Sequence, residues 1–90
     1  MTLLKTALVT GAGARDGIGV AIARTLAKRG LSVAIAGASA RIHDRAEELR
    51  AGGFQITSHV ADLTTADEVA RLRAEVGSVD VLVNNAGMGS

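Results

Sequence analysis

Short apolar segments alternate along this chain with longer segments in which apolar residues recur on one side of a helix. Four short segments are β-prone and end at glycine or polar residues, as buried strands do. These predicted strands are residues 5–10, Ser32–Ala36, Phe54–Val60 and Val79–Val83. The predicted helices between them are Gly17–Arg29, Arg41–Arg50 and a segment that begins at Thr65 and ends near Gly77. The sequence therefore predicts the order β-α-β-α-β-α-β.

The spacing of apolar residues predicts which face of each helix is buried. The residues expected to face the core are Ile18, Ile22 and Leu26, then Ile42, Ala46 and Leu49, then Val69, Leu72 and Val76. Gly30 stands where a C-terminal cap of the first helix belongs. Thr65 and Glu68 have the spacing of a capping box, in which each side chain accepts a hydrogen bond from the other residue's backbone N–H.

Strands that alternate with helices predict parallel pairing, because a parallel neighbour requires a crossover connection. Right-handed crossovers place the first two helices on one face of the sheet and the third on the other, with strand order 3-2-1-4. We therefore predict a single α/β domain over residues 1–90. Its fold would be the first half of a Rossmann-type, doubly wound parallel sheet, with its ligand crevice between the loops after strands one and four.

The composition narrows the possible functions. A chain of 90 residues suffices for one core, and Phe54 is its single aromatic residue. The lack of cysteine excludes disulfides and thiolate metal sites, and no metal site is expected. A net charge of +1 gives no electrostatic reason to expect nucleic acid or an anionic membrane as partner. No apolar run reaches the length of a membrane span, so we expect a soluble, cytoplasmic protein.

A glycine-rich turn joins the first strand to the first helix. Its glycines are Gly11, Gly13, Gly17 and Gly19. Such a turn can bring a diphosphate against the backbone N–H groups and the positive end of a helix. The spacing departs from G-x-G-x-x-G, because Asp16 stands where a glycine would be required. An ordinary glycine-rich turn is the alternative, and the residues of an ATP or GTP P-loop are not present.

Three motifs in this order resemble the N-terminal part of the short-chain dehydrogenase/reductase family. They are TGAGARDGIG at Thr10–Gly19, ADL at Ala61–Leu63 and LVNNAG at Leu82–Gly87. The resemblance covers essentially the whole chain. One departure is that Gly11 and Gly17 stand further apart than the corresponding glycines of the family motif.

The resemblance implies a set of cofactor-binding residues. Those expected along the pyrophosphate and the adjoining ribose are Gly11, Gly13, Gly17, Ile18 and Gly19. The Asp62 carboxylate would accept a hydrogen bond from the adenine amino group, with help from the backbone of Leu63. The backbone of Asn85, Ala86 and Gly87 would pass along the ribose. The alternatives are that Asp62 is a turn or cap residue and that the paired asparagines stabilise the sheet.

The segment after the second strand bears on the choice between NADP and NAD. A carboxylate there would accept hydrogen bonds from the ribose hydroxyls and repel a 2′-phosphate, but residues 37–41 contain no acid. Ser39, Arg41 and Arg15 could donate to that phosphate. The sequence therefore favours NADP, with NAD possible. The alternative for Arg41 is a solvated residue in the first turn of its helix.

The resemblance also implies hydride transfer between nicotinamide and a carbonyl or alcohol carbon of a small molecule, and a homo-oligomer. The family uses a catalytic Tyr with a nearby Lys and Ser, but this chain contains no tyrosine. We therefore expect no catalytic residue here, no activity from these residues alone, and a larger enzyme of which they form the cofactor-binding half. Two alternatives are a non-catalytic nucleotide-binding or scaffold half-domain, and a methyltransferase that binds S-adenosylmethionine.

Overall fold

The computed structural model describes residues 5–12 and 17–84. Its strands are β1 (Thr6–Thr10), β2 (Ser32–Gly37), β3 (Ile56–Val60) and β4 (Val81–Asn84). Its helices are α1 (Ile18–Lys28), α2 (Arg41–Arg50) and α3 (Ala66–Val76). The predicted order of elements is therefore confirmed.

The four strands form one parallel sheet in the order β3-β2-β1-β4, as predicted. On the central strand β1, Thr10 lies beside Ala36 of β2 and Asn84 of β4. The chain therefore winds outward through β2 and β3 and then returns to the opposite side of β1. This arrangement puts the carboxyl ends of β1 and β4 together at the point where the winding reverses.

The two faces of the sheet carry separate apolar clusters. Alternate residues of each strand point to opposite faces, so Ala7 and Val9 join one cluster while Leu8 joins the other. The first cluster includes residues of α1 and α2, and the second includes Leu72 of α3. The predicted distribution of helices, two on one face and one on the other, is confirmed.

The predicted buried stripe of α1 is wrong at its first position. Ile18 is 52% exposed, and Ile22 and Leu26 are only partly buried. The buried residues of this helix are Gly19, Val20, Ala23 and Ala27. Small residues at intervals of four allow the helix to approach the sheet closely, which turns the larger side chains toward the edge of the interface.

The C-terminus of α1 has the glycine cap that the sequence predicts. Gly30 adopts a left-handed φ of 92°. Its N–H donates to the carbonyl of Ala27 at 2.9 Å, and the N–H of Leu31 donates to the carbonyl of Leu26 at 3.3 Å. These two bonds form a Schellman motif, which turns the chain directly into β2.

The strand β4 begins at Val81 rather than at Val79. The N–H of Thr6 donates to the carboxylate Oδ2 of Asp80 at 2.9 Å, so a side chain takes the place of a strand carbonyl there. Regular pairing with β1 therefore starts at Ala7 and Val81. The strand β3 begins at Ile56, whereas the sequence predicted a start at Phe54.

The predicted capping box of α3 forms in one direction only. Thr65 Oγ1 accepts from the Glu68 N–H at 3.2 Å, as expected. The Thr65 N–H donates instead to the carbonyl of Asp62 at 3.3 Å, so it does not need the Glu68 carboxylate. Glu68 Oε1 accepts from the Asp62 N–H at 3.2 Å. The predicted return bond from Glu68 to Thr65 is therefore wrong, and Glu68 holds the preceding loop.

Candidate dinucleotide-binding site

An open groove of about 1030 Å³ lies at the carboxyl ends of the strands. Its lining includes Thr10, Gly11, Gly37, Ala38, Ser39, Ala61, Asp62, Leu63 and Asn84. These residues follow or end all four strands, so the groove lies at the reversal of winding where open α/β sheets bind their ligands. The groove continues between α3 and β4, where Leu82 is 64% exposed.

The glycine-rich turn brings the start of α1 against the end of β1. A Cβ on Gly19 would stand 2.6 Å from the Cα of Ala12, a separation that no real side chain tolerates. Ala12 is itself buried, and its N–H donates to the carbonyl of Ala36 at 3.1 Å. Gly19 is therefore required by the close contact between helix and loop. The predicted contacts of Gly13 and Arg15 lie outside the residues that the structure describes.

Gly11 and Gly17 adopt left-handed φ values of 70° and 73°, which favour glycine. Gly17 is the N-cap of α1. A Cβ placed on it would meet none of the described atoms within 4 Å. As far as the described residues go, the backbone conformation at Gly17, and not crowding, is thus the reason for glycine at this position.

The N-terminus of α1 has the charge properties of an anion site. The N-cap of α1, Gly17, has no side chain, and the first turn of the helix carries no acidic residue. The N-terminus of α3 differs, because Thr65 caps it and Asp67 and Glu68 lie in its first turn. No carboxylate of the first turn of α1 thus opposes an anion at the positive end of its dipole, and this arrangement fits a diphosphate.

The residues that the sequence analysis predicts as donors to a 2′-phosphate, Ser39 and Arg41, follow β2. Ser39 is exposed in the groove lining, and its Oγ accepts from the Arg41 N–H at 3.4 Å. The Ser39 hydroxyl keeps its own proton for donation to a ligand. Arg41 is exposed at the first position of α2, two residues after Ser39, and is not itself among the residues that line the groove. The positions of both residues are compatible with donation to a phosphate.

The Asp62 carboxylate is held by the loop that follows it. Its Oδ1 accepts from the N–H of Thr64 at 3.0 Å and from the Thr64 hydroxyl at 2.6 Å. These two bonds hold the pKa of Asp62 below its ordinary value, so the carboxylate is ionised at neutral pH. Asp62 therefore has the turn geometry of the alternative interpretation, while it also lies in the groove. Leu63 is half-buried beside it and packs on the second cluster.

A buried hydroxyl joins β1 to β4 at the bottom of the groove. Thr10 is 5% exposed, and its Oγ1 donates to the Asn84 Oδ1 at 3.0 Å. The Val83 carbonyl is a second acceptor of this hydroxyl, at 3.4 Å from Oγ1. The Asn84 side chain thus stabilises the sheet, which was the alternative for this asparagine. The expected contacts of Asn85, Ala86 and Gly87 lie outside the described residues.

Sequence reasoning missed three residues that shape the site: Thr10, Thr64 and the loop-holding Glu68. Thr64 could have been found, because an Asp followed two residues later by Thr is the spacing of an Asx-turn. The contacts of Thr10 and Glu68 join residues that are distant in sequence or belong to a folded loop, so local spacing does not indicate them.

A parallel sheet of this order, with a glycine-rich turn that leads into a helix at the reversal of winding, defines a Rossmann-type fold. A sequence model described as short chain dehydrogenase matches residues 5–90. The chain therefore belongs to the short-chain dehydrogenase/reductase family.

Individual relatives agree with this assignment. The chain is 46% identical over 97 residues to the 3-oxoacyl-[acyl-carrier-protein] reductase FabG of Staphylococcus aureus, an alignment that covers 98% of this chain and 37% of FabG. It is 41% identical over 88 residues to the oxidoreductase UcpA of Escherichia coli, covering 93% of this chain and 33% of UcpA. The chain thus spans about a third of the length of these relatives.

Solved structures show the same fold. A short chain dehydrogenase from Mycobacterium smegmatis superimposes with a TM-score of 0.85 at 33% identity, over 97% of this chain and 38% of that one. An actinorhodin polyketide ketoreductase variant crystallised with NADPH superimposes with a TM-score of 0.82 at 38% identity. This superposition covers 97% of this chain and 35% of the ketoreductase chain. Within the described residues, no helix has the length and apolarity needed to cross a membrane.

Proposed function

We propose that this chain forms the NADP(H)-binding part of an oxidoreductase that acts on a small carbonyl or alcohol compound. The observation that carries the proposal is the N-terminus of α1, which follows the left-handed Gly17, lies against Ala12 at the carboxyl end of β1 and has no acidic residue in its first turn. Membership of the family supports the oxidoreductase class. A nicotinamide dinucleotide, when bound, would supply the hydride or accept it.

The residues of the glycine-rich turn would hold the diphosphate through backbone N–H groups. Gly17 places no side chain in front of α1, and Gly19 lets that helix lie close to the end of β1. The exposed side chain of Ile18 would lie along the adjoining ribose. At the other end of the groove, the ionised Asp62 would accept from the adenine amino group, beside the backbone of Leu63.

The preference for NADP over NAD rests on the segment between β2 and α2. Ser39 and Arg41 offer donors there, and residues 37–41 contain no carboxylate to repel a phosphate. The relatives support a nicotinamide cofactor, since the actinorhodin ketoreductase and an L-sorbose reductase from Gluconobacter frateurii were both crystallised with NADPH.

Titration calorimetry with NADPH and NADH tests the cofactor preference. We expect Arg41→Ala to weaken NADPH binding about tenfold, roughly the value of one charge-assisted hydrogen bond, and NADH binding less than about twofold. Arg45→Ala, on the same helix and paired with Glu48 at 3.1 Å, is the matched control and should change neither affinity. Equal losses for the two cofactors would remove Arg41 from the phosphate site.

Other features remain predictions. The tyrosine that the resemblance implies for proton transfer is not among these 90 residues, so they offer no counterpart for that step. Action on a small carbonyl or alcohol compound, assembly into a homo-oligomer and a cytoplasmic location rest on the resemblance and the composition alone.

A further inference from the structure

Arg71 of α3 connects its helix to the end of β3. Its Nη2 donates to the Val60 carbonyl at 2.6 Å. The same guanidinium donates to both carboxylate oxygens of Glu68, from Nη2 to Oε1 at 2.9 Å and from Nε to Oε2 at 3.2 Å. Its Nη1 pairs with Glu75. One side chain thus fixes a strand carbonyl and a carboxylate at the same time, through the planar fork that only arginine provides.

Glu68 extends this connection to the groove. The Glu68 oxygen that accepts from Arg71 Nη2, Oε1, also accepts from the Asp62 N–H at 3.2 Å. Between the two held residues, the N–H of the buried Ala61 donates to the Gly37 carbonyl at 2.9 Å. The backbone from Val60 to Asp62 is therefore fixed at three successive residues, two of them by the pair of Arg71 and Glu68.

This network contributes more to geometry than to stability. Arg71 and Glu68 are 43% and 36% exposed, and ion pairs at such exposure contribute little to the free energy of unfolding. Each bond nevertheless constrains direction, because a bidentate guanidinium and a shared carboxylate oxygen leave few alternative arrangements. The Asp62 carboxylate is held together with this backbone, because Thr64 of the same loop donates two hydrogen bonds to it.

We propose that Arg71 and Glu68 are positioning residues that set the place of the Asp62 carboxylate at the adenine end of the groove, without touching the cofactor. The inference rests on the proposed function, in which Asp62 accepts from the adenine amino group. Loss of either residue should therefore reduce recognition of that amino group and leave the rest of the cofactor site intact.

The test compares NADPH with its hypoxanthine analogue, in which a carbonyl oxygen replaces the amino group. The wild-type protein should bind NADPH about tenfold more tightly than the analogue, since only adenine can donate to a carboxylate from this position. In Arg71→Ala and in Glu68→Ala, we expect this ratio to fall to about twofold or less, through weaker NADPH binding. Arg71→Lys should not restore the ratio, because an ammonium lacks the fork. Arg45→Ala should keep the wild-type ratio, since its ion pair does not contact the loop.

The outcomes separate the inference from the proposed function. A merely structural role would weaken both cofactors equally, and the unchanged ratio would overturn the inference. Asp62→Ala provides the reference: if it loses the preference while Arg71→Ala and Glu68→Ala keep it, the positioning role is wrong and the adenine site stands. If the wild-type protein shows no preference, or Asp62→Ala retains it, the adenine placement is wrong and the inference fails with it.

Discussion

Gly17 and Gly19 stand two residues apart at the start of α1 and require glycine for different reasons. Gly19 has no room for a Cβ beside Ala12, whereas Gly17 has room but adopts a left-handed φ. The sequence indicated both as glycines of a ligand-binding turn. The structure assigns a packing role to Gly19 and a conformational role to Gly17, so substitutions at the two positions should have different effects.

We expect Gly19→Ala to destabilise the protein. Helix propensity alone would stabilise it by about 1 kcal/mol, because alanine is a better helix former than glycine. The contact with Ala12 opposes this gain, and overpacking of this kind costs about 1 to 3 kcal/mol. Urea denaturation measures the balance, with Ala21→Gly on the exposed side of α1 as a control for propensity. A Gly19→Ala variant more stable than wild type would show that the helix does not lie this close to the loop.

The helix α3 is an element whose charges hold the neighbouring loop and strand. Hydrogen bonds to Arg71 lower the pKa of Glu68, and bonds to His59 and then Arg71 lower the pKa of Glu75. A carboxylate whose pKa is lower in the folded than in the unfolded protein stabilises the fold above the unfolded value. That stability is lost as pH falls through the lower, folded value.

The pH dependence of unfolding tests this arrangement of α3. Stability of the wild-type protein should fall as pH drops below the ordinary glutamate value of 4.5, because Glu68 and Glu75 then lose their partners. Arg71→Ala should show a smaller loss between about pH 6 and about pH 3.5, because its Glu68 and Glu75 have already lost their bonds to Arg71, while Glu75 keeps its bond to His59. Urea midpoints at the two pH values give the comparison, and Arg45→Ala should respond like wild type. Equal acid responses in wild type and Arg71→Ala would contradict the network.

At the scale of the whole molecule, the sequence was sufficient for the topology but not for the side-chain contacts. Alternating apolar segments and glycine-rich turns predict the strand order, because few parallel arrangements satisfy right-handed crossovers. The same patterns did not reveal that Asp80 replaces a strand carbonyl, that Ile18 is exposed, or that Glu68 bonds to Asp62. These contacts depend on distances between elements, which local periodicity does not contain.

The proposed function depends above all on binding of a dinucleotide's diphosphate at the N-terminus of α1. Calorimetric titration of NADPH into Gly17→Val and Gly53→Val tests it most directly. Both glycines have left-handed φ values, 73° and 89°, with no described atom within 4 Å of an added Cβ, so the two substitutions impose similar backbone strain. Gly53 follows α2, away from the groove lining. We predict at least about a hundredfold loss of affinity for Gly17→Val, as expected when several hydrogen bonds to phosphate are blocked, and less than about twofold for Gly53→Val. Equal affinities in the two variants would contradict the account.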